Sequence, residues 1–266
     1  MNNKEKLEKA RLERLNNANV NKQGLYMTIV NYNSSKNIDV LFEDGYIATN
    51  KLYKHFKSGS MKSPYFKSIY NRGYLGEGEY ISSHDFKHNI QYSKWFGMFK
   101  RCYDEKQLAK QPTYEICDID ERWNNFQVFA KWFDENRWSE DCLCVDKDIL
   151  IKGNKIYSPE NCILVDNRLN CLFTKTNKTR GNFPIGVYYK KDVKKYRAQC
   201  SIVFEDGHKQ QTFLGDYSDP LTAFNAYKQF KESYIKQVAD DYANKYQNFP
   251  KRLYDAMYAY EVEITD

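Results

Sequence analysis

The apolar side chains of this sequence are mostly aromatic, and they arrive in short clusters separated by polar stretches. That arrangement limits the chain to several small cores and disfavours one large one. Of 266 residues, 23 are Tyr and 16 are Phe, and hydrophobic residues make up only 41% of the total. The length suits one large domain or two to three small ones, and aromatic rings let a small core bury enough surface. With a mean hydropathy of −0.81, no run approaches the roughly 20 apolar residues that span a membrane. The opening residues Met1-Asn2-Asn3-Lys4-Glu5-Lys6 lack a signal peptide's apolar stretch. The expectation is a soluble, cytoplasmic α+β protein of several modules, with no membrane partner.

Periodicity and turn residues divide the chain. Residues 1–23 begin with a charged segment of weak helical period, a solvated helix or tail. Residues 24–60 read as a small β module of SH3-like type. Its strands are Tyr26–Val30 and Ile38–Phe42, with a turn at Glu43-Asp44-Gly45. Residues 61–91, rich in Gly, Ser, Tyr and Lys, read as a linker or hairpin. In the segment 92–175, Trp95, Met98, Phe99 and Cys102 lie at helical spacing, and a second helix is predicted around 122–136. Residues 183–237 give three strands and a helix opened by Asp219-Pro220, and 238–266 a helical extension. Phe-Glu-Asp-Gly occurs at 42–45 and again at 204–207. Two hairpin turns of the same chemistry explain this without a duplication.

A net charge of +6 from 41 basic and 35 acidic residues is weak evidence for a polyanionic partner. Its distribution says more. Lys175, Lys178, Arg180, Lys190, Lys191, Lys194, Lys195 and Arg197 crowd one stretch, opposed only by Asp192. Such a segment reads as a nucleic-acid-facing surface or as a solvated charged face. Seven cysteines, an odd number, argue against a disulfide framework, and their spacing does not match paired zinc ligands.

Residues 145–164 carry the densest chemistry. A short strand leads to a Gly153-Asn154 turn, then Tyr157-Ser158-Pro159-Glu160-Asn161. Asn154 is placed to fix the turn through its own backbone. Ser158 and Pro159 look like a helix N-cap and first position. Asp146 and Asn161 offer hard oxygen donors for Mg²⁺ or a similar ion. This stretch resembles the ββα metal finger of HNH nucleases, in the phage form ending Tyr-Ser-Pro-Glu-Asn-Cys. The likeness extends from about Tyr92 to Phe173 and includes Trp95 to Tyr103 and Trp123 to Phe129. It implies metal ligation by Asp146 and Asn161 and a catalytic centre that includes Asn154, with Lys147 where the family has its general-base histidine. A lysine of ordinary pKa is protonated at neutral pH and cannot take a proton from water. His84 or His88 could enter from the preceding hairpin instead.

Residues 183–230 resemble an AP2/ERF domain, a three-stranded sheet backed by a helix. The matching groups are Ile185-Gly186-Val187, Lys195 to Gln199, Phe213 to Tyr217 and Ala223 to Tyr227. Alternation puts Tyr196, Ala198 and Cys200 against the helix. Tyr188, Lys190, Lys195, Arg197, Gln199, Ser201, Gln211 and Phe213 are then left as DNA-binding candidates. Together the two resemblances imply a phage protein that acts on double-stranded DNA in the host cytoplasm. Its expected activity is that of a metal-dependent, homing-type endonuclease. The alternative is a nuclease-derived factor that binds DNA or a host protein without cutting.

Overall fold

The computed structural model describes residues 2–85, 87–173, 183–264 and 266. Lys175, Lys178 and Arg180 of the basic stretch lie outside the described residues. The fold is mixed α+β, and the chain separates into two compact units: residues 1–87 with 121–129, and residues 88–120 with 130–266.

In the first unit, helix α1 (Asn3–Arg14) starts with a capping box, in which the Asn2 side chain accepts from the Glu5 amide and Glu5 bonds back to Asn2. Strands β1 (Ala18–Val20), β2 (Tyr26–Ser34), β3 (Asn37–Phe42) and β4 (Ile47–Lys51) form one antiparallel sheet in that order. β1 enters the sheet ahead of residue 24, so the module begins earlier than its turn residues suggested. Met27, Ile29, Ile38, Val40 and Phe42 alternate inward and pack with Phe56 of the short helix α2 (Tyr53–Lys57). Of residues 61–91, expected as a linker or hairpin, those up to 87 belong to this unit. Tyr74 bridges Asn125, and Gln127 binds the backbone of Leu75 and Tyr80. The short strands β5 (Ser83–His84) and β6 (Lys87–His88) then lead towards helix α3.

The second unit contains α3 (Ile90–Tyr103), whose predicted stripe of Trp95, Met98, Phe99 and Cys102 is buried. α4 (Glu105–Lys110) and β7 (Asp118–Ile119) follow. α5 (Phe126–Asn136) runs from one unit into the other. β8 (Cys144–Asp146) pairs antiparallel with β10 (Ile163–Val165), while β9 (Ile156–Tyr157) pairs parallel with β7. α6 (Asn167–Phe173) starts after β10. Its cap is Asp166, which accepts from the Leu169 amide at 2.8 Å. Ser158 does not cap a helix. Residues 158–162 make a single turn in which Cys162 N–H bonds the Ser158 carbonyl, and the chain then extends into β10.

β11 (Val187–Lys190), β12 (Lys195–Val203) and β13 (Lys209–Tyr217) form an antiparallel sheet in sequence order. α7 (Pro220–Lys245) crosses the 237/238 boundary drawn from the sequence and serves two cores. Its first half packs Ala223, Phe224 and Tyr227 on Ala198 and Cys200 of the sheet. Its second half packs Ile235, Val238 and Tyr242 on Ile163, Val165 and Leu169. α8 (Lys251–Tyr258) adds Leu253 and Met257 to that second core. The Tyr234 hydroxyl donates to the Val203 carbonyl and accepts from its amide, and the Arg168 side chain also donates to that carbonyl. Those bonds tie the end of β12 to the helices around the finger. Both Phe-Glu-Asp-Gly segments are tight turns, with Gly45 at φ 88° and Gly207 at φ 83°.

Candidate functional site

The 145–164 segment is built around Asp146. Its Oδ1 accepts from the amides of Asp148 at 2.7 Å and Ile149 at 2.8 Å, a turn that bends the chain out of β8. Because β8 ends there, Lys147 and Asp148 do not point to opposite faces, as strand alternation would require. Both line a hollow of about 200 Å³ with Asp146, Lys94, Arg101 and Asn170. Burial pushes the Asp146 carboxyl above its ordinary value, against the opposing pull of the two backbone bonds.

Lys147 is only 5% exposed. Its Nζ donates to Asp148 Oδ2 at 2.7 Å and to the Asn154 carbonyl at 2.9 Å. Burial alone would lower its pKa, but the bond to Asp148 and that carboxylate's charge outweigh it and hold the ammonium above its usual range. A protonated amine has no lone pair to take a proton from water, so this environment disfavours Lys147 as a general base. Neither His84 nor His88 is among the residues lining the hollow.

Asn154 spends its side chain on the loop. Nδ2 donates to the carbonyls of Lys147 and Ile156, at 2.9 and 2.8 Å, and Oδ1 accepts from the Ile156 amide. Those bonds give Asn154 a structural role in the loop. Asn161 directs its Nδ2 to Asn154 Oδ1 at 3.4 Å. Among the described residues no hydrogen bond joins Asn161 to Asp146, and Asn161 is not part of the hollow. Among the described residues, no group of three or more His, Cys, Asp or Glu side chains converges to hold a cation.

Sequence reasoning missed Lys94, Arg101, Tyr114 and Asn170. Lys94 and Arg101 are seven residues apart on α3, about two turns, so they flank the buried stripe on one side. Arg101 Nε donates to the Tyr157 hydroxyl at 3.1 Å. That spacing was a usable signal.

On the C-terminal sheet the register sets Tyr188 opposite Arg197 and Lys190 opposite Lys195. It also sets Gln199 opposite Phe213 and Ser201 opposite Gln211. All eight candidates therefore share one face, and Ala198 and Cys200 fill the other. Phe213 is 59% exposed, and the Arg197 guanidinium lies 4.7 Å from its ring centroid. Lys190 pairs with Asp192 at 3.2 Å, and the Gln211 amide donates to Ser201 Oγ. Asp216 was not foreseen. It takes Arg197 in a two-pronged pair, Nε to Oδ1 and Nη2 to Oδ2, each at 2.7 Å. The side-chain bond to Arg197 holds the Asp216 carboxyl below the usual carboxylate range.

A one-residue bulge brings Asp216 there. Ala198 pairs with Gly215 but Gln199 pairs with Phe213, so Leu214 is the extra residue. Parity along β13 changes at that point, and Asp216 joins the face of Phe213. Among the described residues no helix is long and apolar enough to cross a membrane. No protein-family model, no curated protein and no solved structure matches this chain.

Proposed function

We propose that this protein binds duplex DNA, with the outward face of the β11–β13 sheet laid against a groove in the manner of AP2/ERF domains. The observation that carries the reading is the one-sided array on that sheet, in which Arg197 rests on exposed Phe213 among Tyr188, Lys190, Gln199, Ser201 and Gln211. A twisted sheet of this width enters a major groove, where Arg and Gln make paired hydrogen bonds to guanine and adenine edges. Asp216 uses two of the five N–H donors of Arg197 and orients the guanidinium. The remaining donors suffice for a base edge or a phosphate.

The finger, similar to that of HNH nucleases, is in this reading a nuclease-derived element that does not activate water. Protonated Lys147 stands where a base is needed. A second reading, metal-dependent nicking with Mg²⁺, is favoured by one feature. Only Oδ1 of Asp146 takes part in the backbone bonds, which leaves Oδ2 as a possible ligand.

Fluorescence anisotropy on mixed-sequence duplexes at low salt tests the first reading. Arg197→Ala with Lys190→Ala is expected to weaken binding, and unchanged affinity would remove the sheet from the interface. Supercoiled plasmid with Mg²⁺ or Mn²⁺ decides the second. Nicking that disappears in Asp146→Ala would establish the enzyme, whereas binding without nicking supports the factor.

A further inference from the structure

The hollow beside Asp146 has more positive charge than its own carboxylates offset. Lys94 and Arg101 reach it from α3 and Lys147 from the end of β8, against Asp146 and Asp148. The two carboxylates are not equivalent. Asp146 spends Oδ1 on two amides. Asp148 has a side chain 51% exposed, so it can turn to solvent, whereas the Lys147 ammonium it neutralises cannot. A buried ammonium that loses its carboxylate needs another anion in the same place.

We infer that this hollow is a metal-independent oxyanion site that takes one phosphate of the nucleic-acid backbone, with Lys147 supplying the charge a divalent ion would otherwise supply. Lys94 and Arg101 donate from the α3 side, and Tyr114 also lines the hollow, with its ring centroid 5.8 Å from Lys147 Nζ. Several donors from separate elements suit a tetrahedral anion with several acceptor oxygens. As Asp148 swings out, Lys147 exchanges one oxyanion for another, and its bond to the Asn154 carbonyl keeps the loop in place. The assignment to a backbone phosphate rests on the DNA-binding reading; the oxyanion site itself does not.

The test uses the full chain in EDTA. Thermal midpoints are measured in sodium phosphate against sodium chloride of matched ionic strength, for wild type, Lys94→Ala, Lys94→Arg and Arg101→Ala. Phosphate is expected to raise the wild-type midpoint with concentration. Loss of one charged donor should weaken phosphate about tenfold, and Lys94→Arg should keep the response. Lys94 is half-buried and outside the buried stripe, so its variants decide the matter if Arg101→Ala does not fold. In duplex titrations the slope of log affinity against log salt should fall by about 0.9 in Lys94→Ala.

A wild type indifferent to phosphate, or a Lys94→Ala variant that responds equally, overturns the site. An intact phosphate response with an unchanged salt slope overturns its assignment to DNA. Should Arg197→Ala abolish duplex binding while phosphate still stabilises the protein, the site stands. A lost phosphate response beside Arg197-dependent binding sinks the site alone.

Discussion

Two cation–carboxylate pairs, both 2.7 Å long, sit in the second unit in opposite circumstances. In the finger, Lys147 is sealed in and its partner Asp148 is half open. On the sheet, Arg197 and Asp216 are each 21% exposed and lie on a face shared with Phe213. An ion pair of equal length therefore means different things. A buried cation is held by the structure that surrounds it and must always have an anion. A surface pair contributes little to stability and is open to exchange with a partner. The finger's charges belong to the fold until something enters the hollow, and the sheet's charges are presented outward.

The sharpest test of that contrast removes the sheet's support. Gly186 has φ 75°, and a Cβ there would meet the Tyr227 ring at 2.1 Å. Gly186→Ala should cost about 2–5 kcal/mol from left-handed strain and overpacking. Urea denaturation measures it, and a change under 1 kcal/mol would mean that the sheet does not depend on this close approach. Next comes Lys147→Met, which keeps the packed stem but leaves the Asn154 carbonyl without its ammonium. About 1–3 kcal/mol of stability should be lost. A neutral outcome would show that the buried cation is not part of the fold's foundation.

Phe213→Ala should do the reverse. Stability should stay within about 0.5 kcal/mol, while duplex affinity drops by about 0.5–1 kcal/mol as Arg197 loses its aromatic rest. Equal binding by the variant would blur the contrast between the two regions. The smallest effects are in pH dependence, and they have opposite signs. Asp146 is raised, so its ionisation costs stability as pH climbs past the ordinary carboxylate value of about 3.9. Asp146→Asn should gain on wild type through that range and lose the advantage in acid. Asp216 is lowered, so it adds stability above about 3.9 and loses it as pH falls through its depressed value. Asp216→Asn should therefore trail wild type at neutral pH and match it in strong acid. Denaturation midpoints from pH 3 to 8 compare the two, and curves of the same sign would contradict the assigned environments.

Much of the framework was legible. The α3 stripe, the two Phe-Glu-Asp-Gly turns, Asn154 in its turn and the inward set of β12 all follow from local spacing. The site was less so. Lys94 and Arg101 were visible as a pair seven apart, but nothing local said that Lys147 would face them. Ser158 and Pro159 had the residue types of a helix start, yet β10 pairing with β8 claimed the chain instead.

The sequence by itself determined where short strands, turns and amphipathic helices form, because those depend on period and on the conformations that Gly, Asn and Pro allow. Only the tertiary structure decided which charges meet. The bulge at Leu214 brought Asp216 to Arg197, the bend after Asp146 placed Lys147 and Asp148 in one hollow, and α7 joined the sheet and the finger through one helix. The physical reason is parity. A single unpaired residue or a strand that stops early reverses which face a side chain takes, and long-range pairing settles both.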